Sequence, residues 1–238
     1  MIIHQIYYDL GYGVIDNIER FKKSHMETKE FCDDNNIDYR LWSREDIEFF
    51  IKNISLEWIT FYNNLRYDIQ RIDFARLIII YICGGIYMDL DITVNNPKEN
   101  RLSIIELFKE PIVIVRWNDC HLPYNALIGC ISYNKIIYQL IVYIITNYNS
   151  KEEMKIYNTW KGRFVFHTTG HYAIHKVLKK FTHVEYRDIL YIESKGKKIG
   201  NKNTALFYDT NESVWYKPLI MRGVGERENS NDFTPPYK

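Results

Sequence analysis

The sequence predicts an α/β fold in which helices flank a mixed β-sheet. Two observations support this prediction: short β-branched and aromatic segments alternate with amphipathic helical segments, and 238 residues are enough for one large domain with a substantial core. We expect that domain to span residues 1–220. Residues 221–238 are polar and contain Gly and Pro, which predicts a flexible C-terminal tail with little reason to pack.

The N-terminal part of the chain is predicted to alternate strand and helix. MIIHQIYY is rich in β-branched and aromatic residues, as in a buried first strand, and IDNIERFKKSHMETKEFCDDNN spaces its apolar residues as a helix does. IDYRLWS then predicts a second strand, and REDIEFFIKN predicts a second helix. Ser43 is placed to cap that helix, with Asp46 as its capping-box partner.

A long helix is predicted over residues 68–83, DIQRIDFARLIIIYIC. Its apolar residues can share a buried face, and the Gly84-Gly85 pair supplies the stop. Asp73 and Arg76 lie three residues apart, so they project from the same side of such a helix. Taken alone, a pair of this kind is most often an ordinary feature of a helix surface.

The segment IYMDLDITV follows the glycines and predicts one strand that ends in the NNPKEN turn. It carries Asp89 and Asp91, which would share one face of a regular strand. Both lie near the exit of the strand, where open α/β sheets usually bind ligands. Two such carboxylates can bind one hard divalent cation, whose remaining ligands are typically phosphate oxygens and water.

The alternation of strands and helices continues in the rest of the chain. PIVIVRW and NALIGCI predict strands, and NKIIYQLIVYIITNY predicts a strongly apolar helix. HVEYRDILYIES predicts another strand, and ALFYDTNESVWYK predicts a late strand followed by a loop.

Composition argues against several classes of protein. The 31 Lys and Arg residues nearly balance the 30 Asp and Glu residues, so a nucleic-acid partner is not expected. The four cysteines form no CxxC pair and have no His spacing typical of a zinc site. No signal-peptide pattern is evident, and the apolar windows are too short or too interrupted to span a bilayer. We therefore expect a cytoplasmic protein without an integral membrane segment.

Two enzyme chemistries begin with an aspartate pair of this kind. Phosphatases of the haloacid dehalogenase type use D-x-D-x-T-V, which Asp89, Asp91, Thr93 and Val94 match, with Asp89 as nucleophile and Asp91 as acid. That motif normally ends the first strand of its domain, whereas a long segment precedes it here, and the sequence lacks the Gly-Asp dipeptide of the phosphatase metal motif. The second chemistry is sugar transfer from a nucleoside diphosphate sugar, in which D-x-D holds Mn²⁺ or Mg²⁺ against the diphosphate.

Residues upstream of the aspartates favour the second chemistry. The run RIDFARLIIIYICGGIYMDLDI resembles the signature of glycosyltransferase family 32, the DXD-containing sugar-binding region, which the glucosylating domains of large bacterial toxins share in looser form. The family pattern is approximately S-D-x-x-R, an apolar helix and G-G-x-Y-x-D-x-D, and only Ile72 departs from it. The resemblance implies a GT-A fold with a Rossmann-like sheet. The matching residues are Asp73, Arg76, Gly84, Gly85, Tyr87, Asp89 and Asp91.

The resemblance also implies roles for these residues. Asp73 and Arg76 would contact the donor sugar and its phosphate, Asp89 the ribose or the metal, and Asp91 the metal directly. This agrees with their chemistry, because a carboxylate can accept two sugar hydroxyls and an Arg can neutralise a departing diphosphate. The same donor-binding region includes Gly84, Gly85 and Tyr87.

Two other segments extend the resemblance. IHQIY matches the family's first strand, I-H-Q-I-W, where Tyr7 replaces a Trp that stacks on the base, although a buried core aromatic is an equally good interpretation of Tyr7. YNALIGC places Asn125 near the reacting face of the sugar, as a donor-binding and catalytic residue.

TTGHYAIHKVL resembles a T-G-P segment of the family, with His171 at the proline position. Gly170 and His171 are therefore candidates to line the pocket. A plain helix N-terminus that follows two threonines is the alternative interpretation.

YDTNESVWYK approximates the closing segment of the family, in which a third metal ligand precedes a Ser-Trp pair. If Trp215 is aligned with that Trp, it contacts the donor and Asp209 falls at the position of the metal ligand. If Ser213 is aligned instead, Glu212 becomes the alternative ligand. Asp209 is preferred, and a solvated loop remains a further interpretation.

The resemblance finally implies the reaction. It predicts a Mn²⁺ (or Mg²⁺) cofactor, a UDP- or GDP-linked sugar donor, a glycan, lipid or protein acceptor, and retention of anomeric configuration. In such a reaction the leaving diphosphate takes the proton of the acceptor, so that catalysis depends on charge stabilisation and positioning by Asp73, Arg76 and Asn125. A hypothesis of another class is a nucleotide-sugar-binding module without catalytic activity.

Overall fold

The computed structural model describes residues 1–9, 13–117, 121–157, 161–180, 189–195, 197–201 and 204–209. The predicted tail and the two candidate residues Glu212 and Trp215 lie outside these ranges.

The described strands form one mixed sheet, as the sequence predicts. Its order is β2-β1-β3-β6-β5-β7-β8-β9-β4. Strand β1 is parallel to β2 and to β3, and β5 is parallel to β7, whereas the other neighbouring pairs are antiparallel. The strands are β1 (Ile2–Ile6), β2 (Asp38–Trp42), β3 (Gly85–Met88), β4 (Ile92–Val94), β5 (Ile112–Trp117), β6 (Pro123–Cys130), β7 (Ile189–Lys195), β8 (Lys198–Asn201) and β9 (Thr204–Asp209).

Helices cover both faces of the sheet. Alternate residues of β5 enter two separate apolar cores: Ile112 and Ile114 pack with residues of α2, α3, α4, α6, α8 and α9, whereas Val113 and Val115 pack with residues of α1 and α5. The helices are α1 (Glu19–Asp34), α2 (Arg44–Ile54), α3 (Leu56–Asn64), α4 (Asp68–Cys83), α5 (Pro97–Leu107), α6 (Lys135–Asn147), α7 (Lys151–Tyr157), α8 (Lys161–Thr168) and α9 (His171–Leu178).

Several local predictions are confirmed. Helix α4 spans residues 68–83 and ends at Gly84, whose φ of 67° is in the left-handed region that favours glycine. The capping box of α2 is present: the amide of Asp46 donates to Ser43 Oγ at 3.1 Å, and the amide of Ser43 donates to Asp46 Oδ2 at 3.0 Å.

The prediction of one strand for IYMDLDITV is wrong. The segment forms β3 and β4, and the turn Asp89–Ile92 separates them, with the Ile92 amide donating to the Asp89 carbonyl at 3.0 Å. Strand β3 pairs with β1 and β6, whereas β4 pairs with β9, more than 100 residues later in the chain. Local alternation of residue types cannot reveal a change of partner at that sequence distance.

The strand registers bring the ends of several strands to one edge of the sheet, here called the carboxyl edge. Strands β1, β3 and β5 end there and β6 begins there, because His4 pairs with Tyr87, Met88 with Leu127 and Arg116 with Pro123. Gly84 and Gly85 lie at the opposite end of β3, the glycine edge. The two edges therefore carry different parts of the motif.

No helix in the described part of the chain is long and apolar enough to cross a membrane. The cytoplasmic location stays a prediction.

Candidate functional site

A pocket opens at the carboxyl edge, and the sequence-predicted residues in its wall come from α4, the turn after β3, the start of β6 and the start of α9. These are Asp73, Arg76, Asp89, Asp91, Asn125, Gly170 and His171. The remaining wall is largely apolar and aromatic, and consists of Ile69, Trp117, Tyr124, Ala126, Val165 and Phe166.

The carboxylate of Asp73 is held by three donors. Asn125 Nδ2 donates to its Oδ1 at 2.9 Å, Thr169 Oγ1 donates to its Oδ2 at 2.9 Å, and Arg76 Nη2 lies 3.0 Å from Oδ1. Burial disfavours the charged form and raises the pKa of Asp73 to about 6, although Arg76, Thr169 and Asn125 act in the opposite direction. The effect of burial on Asp73 thus outweighs that of its three hydrogen-bonding partners.

Arg76 bridges two acidic side chains from a buried position. Its side chain is 3% exposed, and its Nη2 lies 3.0 Å from Asp73 Oδ1 and 3.4 Å from Asp89 Oδ1. Its Nη1 donates to the carbonyl of Asn125 at 2.5 Å, and its guanidinium lies over the ring of Tyr87, 4.8 Å from the centroid. The nearby acidic groups keep the pKa of Arg76 above its ordinary value despite burial, so the group stays charged.

Asp89 is partly open to the pocket. Its side chain is 29% exposed, and its Oδ1 accepts a hydrogen bond of 2.5 Å from the hydroxyl of Tyr87. Burial raises the pKa of Asp89, while Arg76 and the Tyr87 hydroxyl act in the opposite direction. Tyr87 is itself buried behind Asp89. It orients the carboxylate and does not line the pocket.

Asp209 reaches the same edge from the other end of the sequence. It pairs with Ile92 across β4 and β9, and its Oδ2 accepts a hydrogen bond of 2.7 Å from the Tyr124 hydroxyl. Asp91 and Asp89 both act electrostatically on that hydroxyl and raise the pKa of Tyr124 together with burial and Asp209. Even so, no group of three His, Cys, Asp or Glu side chains in the described ranges is arranged to hold a metal ion. Asp209 as third ligand stays a prediction.

Besides Tyr87, three residues of the predicted donor-binding set lie away from the pocket wall. Gly84 and Gly85 lie at the glycine edge, where the close approach of neighbouring backbone leaves no room for a Cβ. Tyr7 follows β1, and its hydroxyl donates to the carbonyl of Gly13 at 2.6 Å. This placement supports structural roles for the glycines, and the stacking role of Tyr7 stays untested.

Gly170 and His171 line the pocket at the start of α9. Gly170 caps that helix with an extended backbone, and a Cβ there would lie 3.0 Å from Cα of Phe166. The His171 ring packs against Phe166, with 4.5 Å between the centroids. Burial, together with His167 and His175, lowers the pKa of His171 to about 4, so its imidazole is neutral at physiological pH.

The sequence patterns do not predict the aromatic wall of the pocket, which Trp117 and Tyr124 form. The rings of Trp117 and Tyr124 lie 4.7 Å apart, and both are half-buried. Trp117 ends the strand PIVIVRW and Tyr124 directly precedes Asn125, so a search for aromatic residues at strand ends could have found both. Thr169 is one of the two threonines before α9, and nothing in its local sequence indicates the bond to Asp73.

Part of this chain matches a known family of proteins. Residues 12–108 match the family model described as the glycosyltransferase sugar-binding region containing the DXD motif. This chain carries that DXD region. The matched stretch includes Asp73, Arg76 and both aspartates of the motif. Asn125 of the pocket wall lies beyond it, as do Thr169 and Asp209, which bond the wall residues Asp73 and Tyr124.

Relatives of the DXD region are themselves named as glycosyltransferases. The chain is 33% identical over 104 residues to inositol phosphoceramide mannosyltransferase 1 of Schizosaccharomyces pombe, a match that covers 43% of this chain and 31% of the relative. It is 36% identical over 93 residues to an uncharacterized glycosyltransferase of Acanthamoeba polyphaga mimivirus, covering 38% of this chain and 34% of the relative. The chain thus spans about a third of the length of the curated relatives it matches.

A solved structure supports the fold. The glycosyltransferase PaToxG superposes with a TM-score of 0.50 at 16% identity, covering 75% of this chain and 68% of that one. The DXD region therefore lies in a GT-A fold, as predicted, and the proteins that it resembles are named glycosyltransferases.

Proposed function

We propose that this protein transfers a sugar from a nucleoside diphosphate sugar to a hydroxyl group of an acceptor. The observation that carries the proposal is the buried network in which Arg76 joins Asp73 to Asp89 at the wall of an open pocket. The guanidinium of Arg76 stays charged and is held in one orientation by the two acidic side chains, so that it would face the leaving diphosphate together with a bound cation. In the same wall, Asp91 and Asn125 offer polar groups to the donor.

The sugar of the donor would bind against Asp73. Three side chains already hydrogen-bond this carboxylate, which fixes its orientation and leaves its remaining lone pairs for sugar hydroxyls. The same three donors withdraw charge from its oxygens and make it a poor nucleophile. A retaining reaction would therefore proceed here without a covalent sugar–enzyme intermediate, and the acceptor hydroxyl would give its proton to the leaving diphosphate.

Asp89 and Asp91 would hold a divalent cation, Mn²⁺ or Mg²⁺. These ligand atoms suit such an ion because carboxylate oxygens are hard ligands. In addition, no described residue hydrogen-bonds Oδ2 of Asp89, which leaves that atom open to the pocket. When bound, the cation would neutralise the charge of the diphosphate. Asp209 is the candidate third ligand, and substrate oxygens and water would complete the coordination shell.

The aromatic wall formed by Trp117 and Tyr124 would contact the acceptor or the donor ring. Such rings present a large apolar face at low cost in conformational entropy, which suits the apolar faces of sugars and other rings. Two of the relatives are named mannosyltransferases that act on inositol phosphoceramide. GDP-mannose is therefore the first donor to test and a polyol-bearing lipid the first acceptor, followed by UDP-linked sugars with glycan or protein acceptors.

A donor screen tests the proposal. GDP-mannose, UDP-glucose and UDP-galactose are each mixed with the protein and Mn²⁺, and both donor hydrolysis and the shift in melting temperature are measured. We expect at least one donor to stabilise the protein and to be hydrolysed slowly without acceptor. Asp91→Asn should abolish the Mn²⁺-dependent turnover while the melting temperature without metal is unchanged. Full turnover in that variant would contradict the metal assignment.

A nucleotide-sugar-binding module without activity is the second candidate. It is favoured by one observation, the lack of a three-residue metal cluster among the described residues. The same screen separates the two functions, since a module would show stabilisation by a donor without turnover. No stabilisation and no turnover with any donor would contradict both.

A further inference from the structure

The turn Asp89–Ile92, here called the DXD turn, carries both aspartates of the motif. Its side toward the pocket presents Asp89 and Asp91. Its other side is buried against α1 and β1. The orientation of both carboxylates therefore depends on what holds the backbone of this turn from behind.

Helix α1 holds the last residue of the turn. Ser24 is 2% exposed, and its Oγ donates to the carbonyl of Ile92 at 2.9 Å. This contact links residues 68 positions apart in the chain. A buried hydroxyl that makes one directed bond fixes the carbonyl that accepts it, because that carbonyl would otherwise be unsatisfied away from water.

Strand β1 holds the first residue of the turn. Gln5 is fully buried, and its Nε2 donates to the carbonyl of Asp89 at 3.4 Å. The Tyr39 hydroxyl donates to Gln5 Oε1 at 2.8 Å, which directs the amide NH₂ group toward Asp89. Since this bond uses the only proton of Tyr39, the Nδ1 of His25, 2.7 Å from the Tyr39 oxygen, is the donor to that oxygen. The glutamine is therefore oriented by a chain of two further side chains.

We infer that Ser24 and Gln5 are positioning residues that set the DXD turn for binding of the metal and the diphosphate. They bracket the turn, since one bonds the carbonyl of its first residue and the other bonds that of its last residue. Neither residue lines the pocket. The inference rests on the proposed function, in which Asp89 and Asp91 share a cation, because such a site requires its ligands to be held within about 0.5 Å.

Removal of the serine hydroxyl tests the role of Ser24. In Ser24→Ala we expect the amides of residues 89–93 to exchange hydrogen faster, and the affinity for Mn²⁺ to fall by roughly 5- to 10-fold, the effect of one buried hydrogen bond. Exchange is followed by mass spectrometry, and Mn²⁺ binding by the electron paramagnetic resonance signal of the free ion. Ser24→Thr keeps a hydroxyl at this place and should restore both readouts.

Thr28 provides a matched control. It lies one turn further along the same face of α1 and is fully buried, and its Oγ1 has no hydrogen-bond partner among the described residues. Thr28→Val therefore removes a buried hydroxyl without removing a bond. We expect its exchange in residues 89–93 and its Mn²⁺ affinity to equal those of the unaltered protein.

Gln5→Met tests the other contact, because it keeps the length of the side chain and removes both of its hydrogen-bonding groups. We expect the same two changes as in Ser24→Ala. Unchanged hydrogen exchange of residues 89–93 in both variants would overturn the inference. Faster exchange with full Mn²⁺ affinity would also overturn it, since the turn would then move without consequence for the site. If the unaltered protein binds no Mn²⁺, the proposed metal site fails, and the exchange comparison alone decides whether the two residues hold the turn.

Discussion

At the glycine edge of β3 the backbone determines the structure, whereas at the carboxyl edge buried charges do. Gly84 and Gly85 have φ values of 67° and 91°, and the carbonyl of Gly84 accepts a hydrogen bond from His4. Four residues later, Asp89 lies within 3.4 Å of the Arg76 guanidinium. One edge excludes side chains, and the other concentrates ionisable ones.

At the glycine edge, both ring nitrogens of the buried His4 are hydrogen-bonded. Trp42 Nε1 donates to His4 Nδ1 at 3.2 Å, so the proton of the neutral ring is on Nε2, which donates to the Gly84 carbonyl at 3.0 Å. Burial lowers the pKa of His4 to about 4, which keeps the ring neutral. Both ring nitrogens therefore have partners.

At the carboxyl edge, the hydrogen-bonding groups are less completely paired. Nε of Arg76 is buried and has no hydrogen-bond partner among the described residues, and the pKa of Asp73 is raised. The groups beside one end of β3 are thus fully paired, whereas those beside its other end keep an unpaired buried nitrogen and a carboxyl group of raised pKa. Four predictions test this difference, from the largest expected effect to the smallest.

The largest effect is expected from Gly85→Ala. A Cβ at this position would overlap the carbonyl oxygen of Ile2, and the positive φ is unfavourable for alanine. We expect the free energy of unfolding to fall by at least about 4 kcal/mol, measured by urea denaturation. Gly129→Ala is the control, because its φ is ordinary and its nearest contact is a side-chain atom at 3.0 Å. If Gly85→Ala and Gly129→Ala lower the free energy of unfolding equally, the backbone at Gly85 is not specifically constrained.

Arg76→Lys should mainly impair catalysis. Lysine keeps the charge but lacks the planar fork of the guanidinium, in which Nη2 faces Asp73 and Asp89 while Nη1 donates to the Asn125 carbonyl. We expect kcat for donor turnover to fall by about 100-fold or more. Arg71→Lys is the matched control, because Arg71 is a buried arginine of the same helix that bonds Asp68 away from the pocket. It should lower stability and preserve kcat, and the opposite result would contradict the assignment.

The two edges should respond to pH in opposite directions. Asp73 has a folded-state pKa raised to about 6, so its contribution to stability is present below its ordinary value of 3.8 and is lost as the pH rises through 6. His4 has a folded-state pKa lowered to about 4, so its contribution is present above 6.5 and is lost as the pH falls through 4. Each contribution amounts to at most about 3 kcal/mol.

Urea denaturation between pH 4 and pH 7 measures both contributions. The stability of the unaltered protein relative to Asp73→Asn should fall as the pH rises from about 4 to 6. Its stability relative to His4→Gln should fall as the pH decreases from about 6.5 to 4. Slopes of the same sign would refute the contrast between the edges.

The smallest effect is expected from Thr169→Val. It removes one of the three groups that hydrogen-bond the Asp73 carboxylate. The affinity for the nucleotide sugar should fall by about fivefold, as for one buried hydrogen bond. Thr168→Val is the control, because the hydroxyl of Thr168 accepts from Gln70 and does not contact Asp73. A similar loss of affinity for the sugar donor in both variants would mean that the effect comes from a general disturbance of the segment between α8 and α9.

The sequence by itself determined the local elements and part of the site. The apolar periodicity and the two glycines set the limits of α4, and the spacing of three residues put Asp73 and Arg76 on one side of it. The capping box of α2 is equally local, because it involves residues three apart. These features depend on neighbours within one or two turns, so the order of residues is enough to reveal them.

Only the tertiary structure decided how the site is assembled. Asp73 meets Thr169 from 96 residues away, and Tyr124 meets Asp209 from 85 residues away. The same kind of distant pairing divides the motif segment into β3 and β4 and separates its glycines from its aspartates. Contacts of this kind depend on which strands become neighbours and on their register, and no local pattern of residue types carries that information.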